Sequence, residues 1–329
     1  MSLNNYHKFT SMKEKKNSFR KQISSWLIEH PSVNPYKFTW DDFFRKITNR
    51  FRMTPNFIII GGAKCGTTSL YAYLMEHPNI LPASIKEVNF FQYTTNSKTS
   101  FYRTHFPIKQ QNLITGEAST QYLVHQLVPK RIHNLLPSVK LILLLRDPVE
   151  RAYSEFNYMI NLGAQISTNF EDAIESELKR INIEKEHPEF VIENYNYFQP
   201  CFSYLRHGIY INHISNWLKY FPKEQLLILN TKDLSNNFDN LMDKTFDFLN
   251  LPKYKIKNTI KKNKIEKIRP ISGNERNIYK NTGSKTQTLF NVQNYSEMKP
   301  ETKTRLRDFF KPYNKELFET IGEKFDWGY

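Results

Sequence analysis

Apolar and polar positions along this chain follow two rhythms. Short apolar runs at residues 57–60, 113–116, 140–145 and 225–230 stop at turn-forming or polar residues, and runs of that length predict buried strands rather than helices. Between them, apolar residues recur at helical spacing over 67–77, 125–136, 148–162, 210–220 and 237–249. Strands alternating with amphipathic helices predict an α/β protein with a central parallel sheet covered on both faces by helices. The strands at 57–60 and 140–145 then carry their following loops to the carboxyl edge of the sheet, where open α/β folds bind ligands.

The flanks behave differently. Residues 1–22 are polar and basic without apolar periodicity and predict a loosely attached segment. Thr39 has the form of an N-cap with Asp42 at N3, and Trp40, Phe43, Phe44, Ile47 and Phe51 follow at helical spacing with Arg45, Lys46, Arg50 and Arg52 late in the run. That pattern predicts an amphipathic helix that packs on the protein's own core or meets a membrane interface or partner. The organisation expected is therefore a basic extension over 1–53 and one catalytic domain over 54–329. Within that domain, 170–198 reads as a helical excursion, 253–285 as a long surface segment, and the stretch after Pro300 as a helix interrupted near Pro312 and closed by Gly322.

Charge sharpens the division. The formal net charge is +15, and residues 1–53 carry +7 and residues 253–285 carry +9, which leaves the remainder at −1. A basic block can be a solvated tail, a surface for a polyanion or a peripheral membrane contact. Because the charge lies outside the glycine-rich loop, and no helix-turn-helix, RNA-recognition or zinc pattern occurs, nucleic acid is not an expected partner. Apolar runs fall far short of the roughly 20 residues that span a bilayer, and no apolar core follows the basic N-terminus, so the reading is cytoplasmic. Cys65 and Cys201 provide neither a disulfide framework nor a zinc site, and no metal is expected.

The chemistry concentrates where the first strand ends. Phe57-Ile58-Ile59-Ile60 runs into Gly61-Gly62-Ala63-Lys64-Cys65-Gly66-Thr67-Thr68-Ser69 and then a helix. Glycines let the backbone approach an anion, and the helix offers free N–H groups and its positive dipole end. In an ATP or GTP P-loop the lysine follows the last glycine and a Ser or Thr comes next to hold Mg²⁺. Here Lys64 precedes Gly66, so the loop suits a phosphate without the usual metal-nucleotide arrangement. A second anion element follows the strand at 140–145. Arg146 can reach a phosphate with its planar fork, Asp147 can cap the next helix with Pro148 at N1 and Glu150 at N3, and Ser154 returns to the same face two turns later. Arg151 fits an ion pair with an acid better than a ligand role, and His207 and His213 fit the helix surface or core better than catalysis.

With Lys64 before Gly66, the loop resembles the 5′-phosphosulfate loop of sulfotransferases that use 3′-phosphoadenosine 5′-phosphosulfate (PAPS). Lys86-Glu87-Val88-Asn89-Phe90-Phe91 resembles the Lys-Glu-x-x-Phe-Phe segment of the heparan-sulfate sulfotransferase type, and Leu141 to Phe156 resembles that family's 3′-phosphate element. Weaker similarities lie at Gly116-Glu117-Ala118-Ser119, at Gly208-Ile209-Tyr210, and at Phe310-Lys311-Pro312-Tyr313-Asn314. The resemblance implies an α/β, P-loop-like three-layer fold with a central parallel sheet covered by helices, and sulfuryl transfer from PAPS, with 3′-phosphoadenosine 5′-phosphate (PAP) as product, to a hydroxyl or amine of a glycan or small-molecule acceptor. It implies Lys64 as the donor to the leaving phosphate, Glu87 as the general base and Lys86 as an orienting cation. Cys65, Gly66, Thr67, Thr68 and Ser69 would hold the 5′-phosphate, Arg146 and Ser154 the 3′-phosphate, and Lys285 would belong to a late cofactor-contacting loop. Two other readings are weighed against it. A P-loop kinase would use 141–147 as a Walker B strand, and the lysine order opposes that. A basic nucleic-acid-binding protein would place its charge at the site, which this chain does not.

Overall fold

The computed structural model describes residues 40–93, 99–161, 169–186, 203–257 and 298–328. Thr39, the 1–22 segment, Cys201, Lys285 and most of the 253–285 stretch lie outside the described residues. The chain divides into two compact units, residues 1–49 and 50–329. In the first, the expected amphipathic helix is present as α1 (Trp40–Ile47) with Arg45 and Lys46 in its last turn. Its end is closed by Thr48, whose N–H and Oγ1 both donate to the Phe44 carbonyl.

The second unit is built on five parallel strands. They are β1 (Phe57–Gly61), β2 (Ile80–Pro82), β3 (Ile114–Ala118), β4 (Lys140–Leu145) and β5 (Leu226–Asn230), ordered β2-β3-β1-β4-β5. Four match the strands expected from apolar runs. β2 was not anticipated, because three residues ending in Pro82 carry no periodicity, and a short strand with proline is what a sheet edge tolerates. The central strands β1 and β4 are buried almost throughout, which explains their continuous apolar runs.

Alternate side chains of these strands feed two separate cores. Ile58, Ile60, Leu141, Leu143 and Leu145 meet α3 (Val128–Leu135), α4 (Pro148–Asn161), α5 (Phe170–Glu186), α6 (Tyr210–Leu218) and α8 (Pro300–Ile321) through residues such as Ile132, Phe156, Ile174, Trp217 and Phe310. Phe57, Ile59, Ile142 and Leu144 face the opposite way, onto α2 (Thr67–Leu74) and α7 (Phe238–Leu249) through Leu70, Leu74, Leu241 and Phe246. Each such side chain contributes about 1.5–3 kcal/mol when fully buried, so a register slip of one residue, which would exchange the two faces, is strongly disfavoured.

One expectation is corrected. α8 is not interrupted near Pro312; it runs unbroken from Pro300 to Ile321 and ends at Gly322 in the left-handed conformation, φ 75°. Pro312 removes one hydrogen bond from the ladder, but Leu306 and Phe310 before it and Asn314 and Leu317 after it are all buried. Packing on both sides carries the helix through the proline. α5 ends its described part at Glu186, so the remainder of the expected 170–198 excursion lies outside the described residues.

Candidate active site

The chain leaves β1 in one direction toward β2 and β3 and leaves β4 in the other toward β5, so the sheet's switch point lies between β1 and β4. Both anion elements open there. Gly61 has φ 152°, and a Cβ on it would stand 2.7 Å from Leu123 Cβ, so no other residue fits the close crossing. The N–H of Gly62 donates to Leu144 O at 2.9 Å, tying the loop to β4. Lys64 takes φ 64° and Gly66 φ 88°, and the second turns the chain into α2, with the Leu70 N–H bonded to Gly66 O at 3.1 Å. Among the described residues no side chain caps this helix, whose first N–H groups have no partner within the helix itself. The hydroxyl of Thr231 at the end of β5 donates to Cys65 O at 2.7 Å and anchors the loop from the far side.

Cys65 is fully buried, and burial pushes its thiol pKa up, the opposite of what a nucleophilic thiolate needs. Its Sγ lies 3.7 Å from the Tyr210 hydroxyl, which donates to the carbonyl of Arg146 at 2.9 Å. Tyr210 thus joins the two anion elements through one buried phenol. A second link comes from α4, where the Tyr158 ring lies under Lys64 with Nζ 4.0 Å from the ring centroid.

The turn after β4 forms as its sequence implies. Asp147 Oδ1 accepts the N–H of Val149 at 2.8 Å and that of Glu150 at 3.4 Å, so α4 is capped at the foot of Arg146. Burial raises the Asp147 pKa against the pull of these two N–H donors. The Arg146 guanidinium stands 3.9 Å from Glu150, which also pairs with Lys303 at 3.0 Å. Ser154, on the same helix, is half-buried. Arg151 is buried and bonds Glu155 at 2.6 Å and the Tyr204 carbonyl. Burial pushes the Glu155 carboxyl up, but Arg151 and His207 outweigh it and hold the pKa down at about 2. His213 is half-buried with Nε2 3.1 Å from the Arg206 carbonyl, and desolvation of its ring lowers its pKa to about 3. Arg151 and the two histidines therefore belong to the core behind the loop.

Glu87 enters from the third side, after β2. Its residue has φ 64° and Asn89 φ 52°, conformations that non-glycine residues adopt only when the surroundings impose them. Those surroundings come from the end of β3. The Glu87 N–H donates to Ala118 O at 2.9 Å, and its carboxylate accepts the Thr120 N–H at 2.8 Å and the Thr120 hydroxyl at 3.2 Å. Lys86 pairs with the other carboxylate oxygen. The Glu87 side chain keeps 33% of its surface exposed, which leaves lone pairs on an open side. Its charge also acts on Tyr158, whose pKa is raised first by burial and then by Glu87. The Lys64–Tyr158 contact and Glu87 thus share one neighbourhood.

The structure brings Lys64, Cys65, Gly66, Thr67, Thr68, Ser69, Lys86, Glu87, Arg146 and Ser154 to the carboxyl ends of β1, β3 and β4 and the elements that follow them. Lys285 lies outside the described residues. Thr120 and Tyr158 were not picked out by sequence reasoning, and Tyr210 and the fully buried Glu117 stood only inside the weaker similarities, with no role of their own. The similarity at Gly116-Glu117-Ala118-Ser119 and a carboxylate directly after the apolar run 113–116 were the signals available for Glu117, whereas Thr120 and Tyr158 carry none that distinguishes them from ordinary packing residues. Among the described residues no group of acidic, His or Cys side chains could hold a metal ion, and no helix is long and apolar enough to cross a membrane.

A family model described as Sulfotransferase domain matches residues 54–324. The chain is 26% identical over 276 residues to heparan sulfate glucosamine 3-O-sulfotransferase 3B1 of Homo sapiens, covering 84% of this chain and 65% of that protein. It is 26% identical over 343 residues to the membrane-associated sulfotransferase kil1 of Dictyostelium discoideum, covering 83% and 66%. The chain thus spans about two thirds of the length of these relatives. A sulfotransferase crystal structure from Alicyclobacillus acidocaldarius shares the fold, with a TM-score of 0.62 at 22% identity, covering 84% of this chain and 99% of that one.

Proposed function

Since the chain belongs to the sulfotransferase domain family, of the heparan-sulfate type, we propose that it transfers a sulfuryl group from PAPS to a hydroxyl or amine of a glycan or a small metabolite. The observation that carries this reading is the pairing of two anion elements on neighbouring strands, the Lys64 loop and Arg146, joined by Tyr210. A donor with phosphates at two separate positions fits that pairing; one compact phosphate chain would need only the first.

The residues fit the group. A left-handed glycine at an uncapped helix start, with a lysine beside it, suits the 5′-phosphate, and Arg146 with Ser154 suits the 3′-phosphate. When bound, PAPS supplies an activated sulfuryl group whose transfer needs in-line placement and charge stabilisation. Lys64 meets the charge that grows on the phosphate oxygen as the S–O bond breaks, which stabilises the transition state more than the ground state. Glu87 would accept the acceptor's proton as the acceptor's bond to sulfur forms, and Lys64 would hold the phosphate oxygen that keeps the electron pair of the broken S–O bond. Lys86 and Thr120 hold the carboxylate from two sides, so its free lone pairs keep one direction.

The acceptor class rests on the names of the relatives, which include a carbohydrate sulfotransferase. Residues 1–53 are read as a basic extension that gives peripheral contact with an anionic surface, and residues 54–329 as the transferase domain. Calorimetry tests the core of the proposal. PAP is expected to bind well over tenfold tighter than ADP; equal affinities would favour a kinase, and no PAP binding would end the reading. Transfer of ³⁵S from PAPS to heparan sulfate, compared with small phenols and amines, then sorts the acceptor.

A further inference from the structure

Behind Glu87 lies a carboxylate for which transfer has no direct use. Glu117 is fully buried on β3, and a buried carboxyl is costly unless hydrogen bonds satisfy it. Its Oε1 accepts the hydroxyls of Tyr102 at 2.5 Å and Tyr122 at 3.4 Å, and its Oε2 accepts that of Ser119 at 2.6 Å. Two of these hydroxyls pass the constraint on. Ser119 Oγ accepts the Asn89 N–H at 3.0 Å, and the Tyr122 hydroxyl accepts the Phe91 N–H at 3.4 Å. Because each hydroxyl has one proton, a proton given to Glu117 leaves the hydroxyl's lone pairs directed at the loop amides. Glu117 thereby sets which way both hydroxyls point.

We propose that Glu117 is the positioning residue of this site: through Ser119 and Tyr122 it fixes the backbone of residues 87–91 and so holds Glu87 in its left-handed conformation against Thr120. The inference rests on Glu87 being the base. The geometry supports it in two ways. The anchors of Glu87, Ala118 O and the Thr120 N–H, are on the residues that flank Ser119, so one short segment carries both Glu87 and the relay. Glu87 and Asn89, the two left-handed residues of this loop, are themselves points where it is tied, through the Glu87 N–H and carboxylate and through the Asn89 N–H.

The groups that face Glu117 are Tyr71 from α2, Tyr102 from the helical turn Thr99–Arg103, Ser119 and Tyr122 from the segment after β3, and Glu87 from the loop. Burial raises its pKa to about 7, while the hydroxyl donors pull the other way. Protonation would place a donor on the carboxyl and disturb the relay, so loop order is tied to pH near neutrality.

The test uses the full chain with Glu117→Gln and Ser119→Ala, the second cutting the relay to Asn89 while leaving both tyrosine bonds. Hydrogen exchange at the Asn89 and Phe91 amides, PAP affinity, and kcat for ³⁵S transfer from PAPS to heparan sulfate are measured from pH 6 to 8.5. Glu117→Gln is expected to speed exchange at both amides at least about tenfold, leave PAP affinity within about twofold, lower kcat by about 10- to 100-fold and flatten its acid limb, as loss of placement without loss of binding would. Ser119→Ala should speed exchange at Asn89 alone. Unchanged exchange in both variants, or exchange that rises while kcat stays within twofold, would overturn the proposal. If the wild-type chain failed to bind PAP, the sulfotransferase reading would fall, and exchange at Asn89 and Phe91 would still decide whether Glu117 orders the loop.

Discussion

The Thr120 N–H donates to the carboxylate of Glu87 at 2.8 Å, across 33 positions of sequence. Because the Glu87 N–H returns to Ala118 O at 2.9 Å, backbone and side chain are fixed by the short segment Ala118 to Thr120 at the end of β3. Glu87→Gln keeps the shape and both possible acceptor bonds to Thr120 through its amide oxygen, but it cannot take a proton. PAP affinity should stay within about twofold and ³⁵S transfer should fall by about 10²-fold or more, the range of general-base catalysis. Calorimetry and transfer assays on one preparation check it, and a fully active variant would remove Glu87 as base.

Arg146 is paired with Glu150 at only 3.9 Å, with both side chains more than a third exposed. An exposed pair of that length stabilises little, so the guanidinium is available to a phosphate. Arg146→Ala should weaken PAP by about 10- to 100-fold, as loss of a charge-assisted contact does, while leaving ADP affinity and the melting temperature nearly unchanged. Parallel titrations with PAP and ADP read the difference; equal losses for both ligands would deny Arg146 a 3′-phosphate role.

Gly66 combines φ 88° with a tight neighbour, since a Cβ there would come within 2.8 Å of Leu234 Cδ1. Gly66→Ala should destabilise by about 1–3 kcal/mol, the usual cost of a left-handed non-glycine residue. Adding Leu234→Ala relieves the collision but not the backbone strain. Urea denaturation of both variants should therefore show the double mutant failing to recover the full loss, beyond what Leu234→Ala costs alone.

Arg151 and Glu155 form a buried ion pair behind the loop, 2.6 Å apart, with His207 Nδ1 3.4 Å from the same carboxylate. Arg151→Leu leaves the Glu155 carboxylate without its principal cation and should cost about 3–5 kcal/mol. PAP affinity of the fraction that remains folded should be nearly unchanged, which separates this arginine from Arg146. Denaturation and calorimetry together give the answer.

Glu117 makes stability depend on pH in a defined direction. Burial raises its folded pKa to about 7, above the ordinary carboxylate range of the unfolded chain. Between those limits the folded protein holds a proton that the unfolded chain has released, so this group's contribution to stability falls as pH rises. The slope is at most about 1.4 kcal/mol per pH unit, or roughly 3 kcal/mol across the window. Comparing wild type with Glu117→Gln by urea denaturation at pH 5 and 7.5 isolates it: the gap between them should shift in favour of the variant at the higher pH.

The sequence alone was enough to predict the four longer strands, the helices between them, the Lys64 loop and the Asp147 cap, because each is specified by neighbouring residues. Apolar runs mark buried strands, glycines mark the positions that need positive φ, and Asp-Pro marks a helix start. β2 and the continuity of α8 through Pro312 escaped for the complementary reason: one is too short to show a period, and the other depends on core packing at Phe310 and Leu317 rather than on the local preference of proline. The arrangement of the site is also a long-range matter. Tyr210 joins Cys65 to Arg146 across 145 and 64 positions, and Ser119 carries Glu117's influence to Asn89 across 30. Such contacts arise where parallel strands bring their carboxyl ends to one edge, and they leave no rhythm along the chain. Local order thus determined where an anion could bind, and tertiary structure decided which side chains surround it and how the candidate base is held.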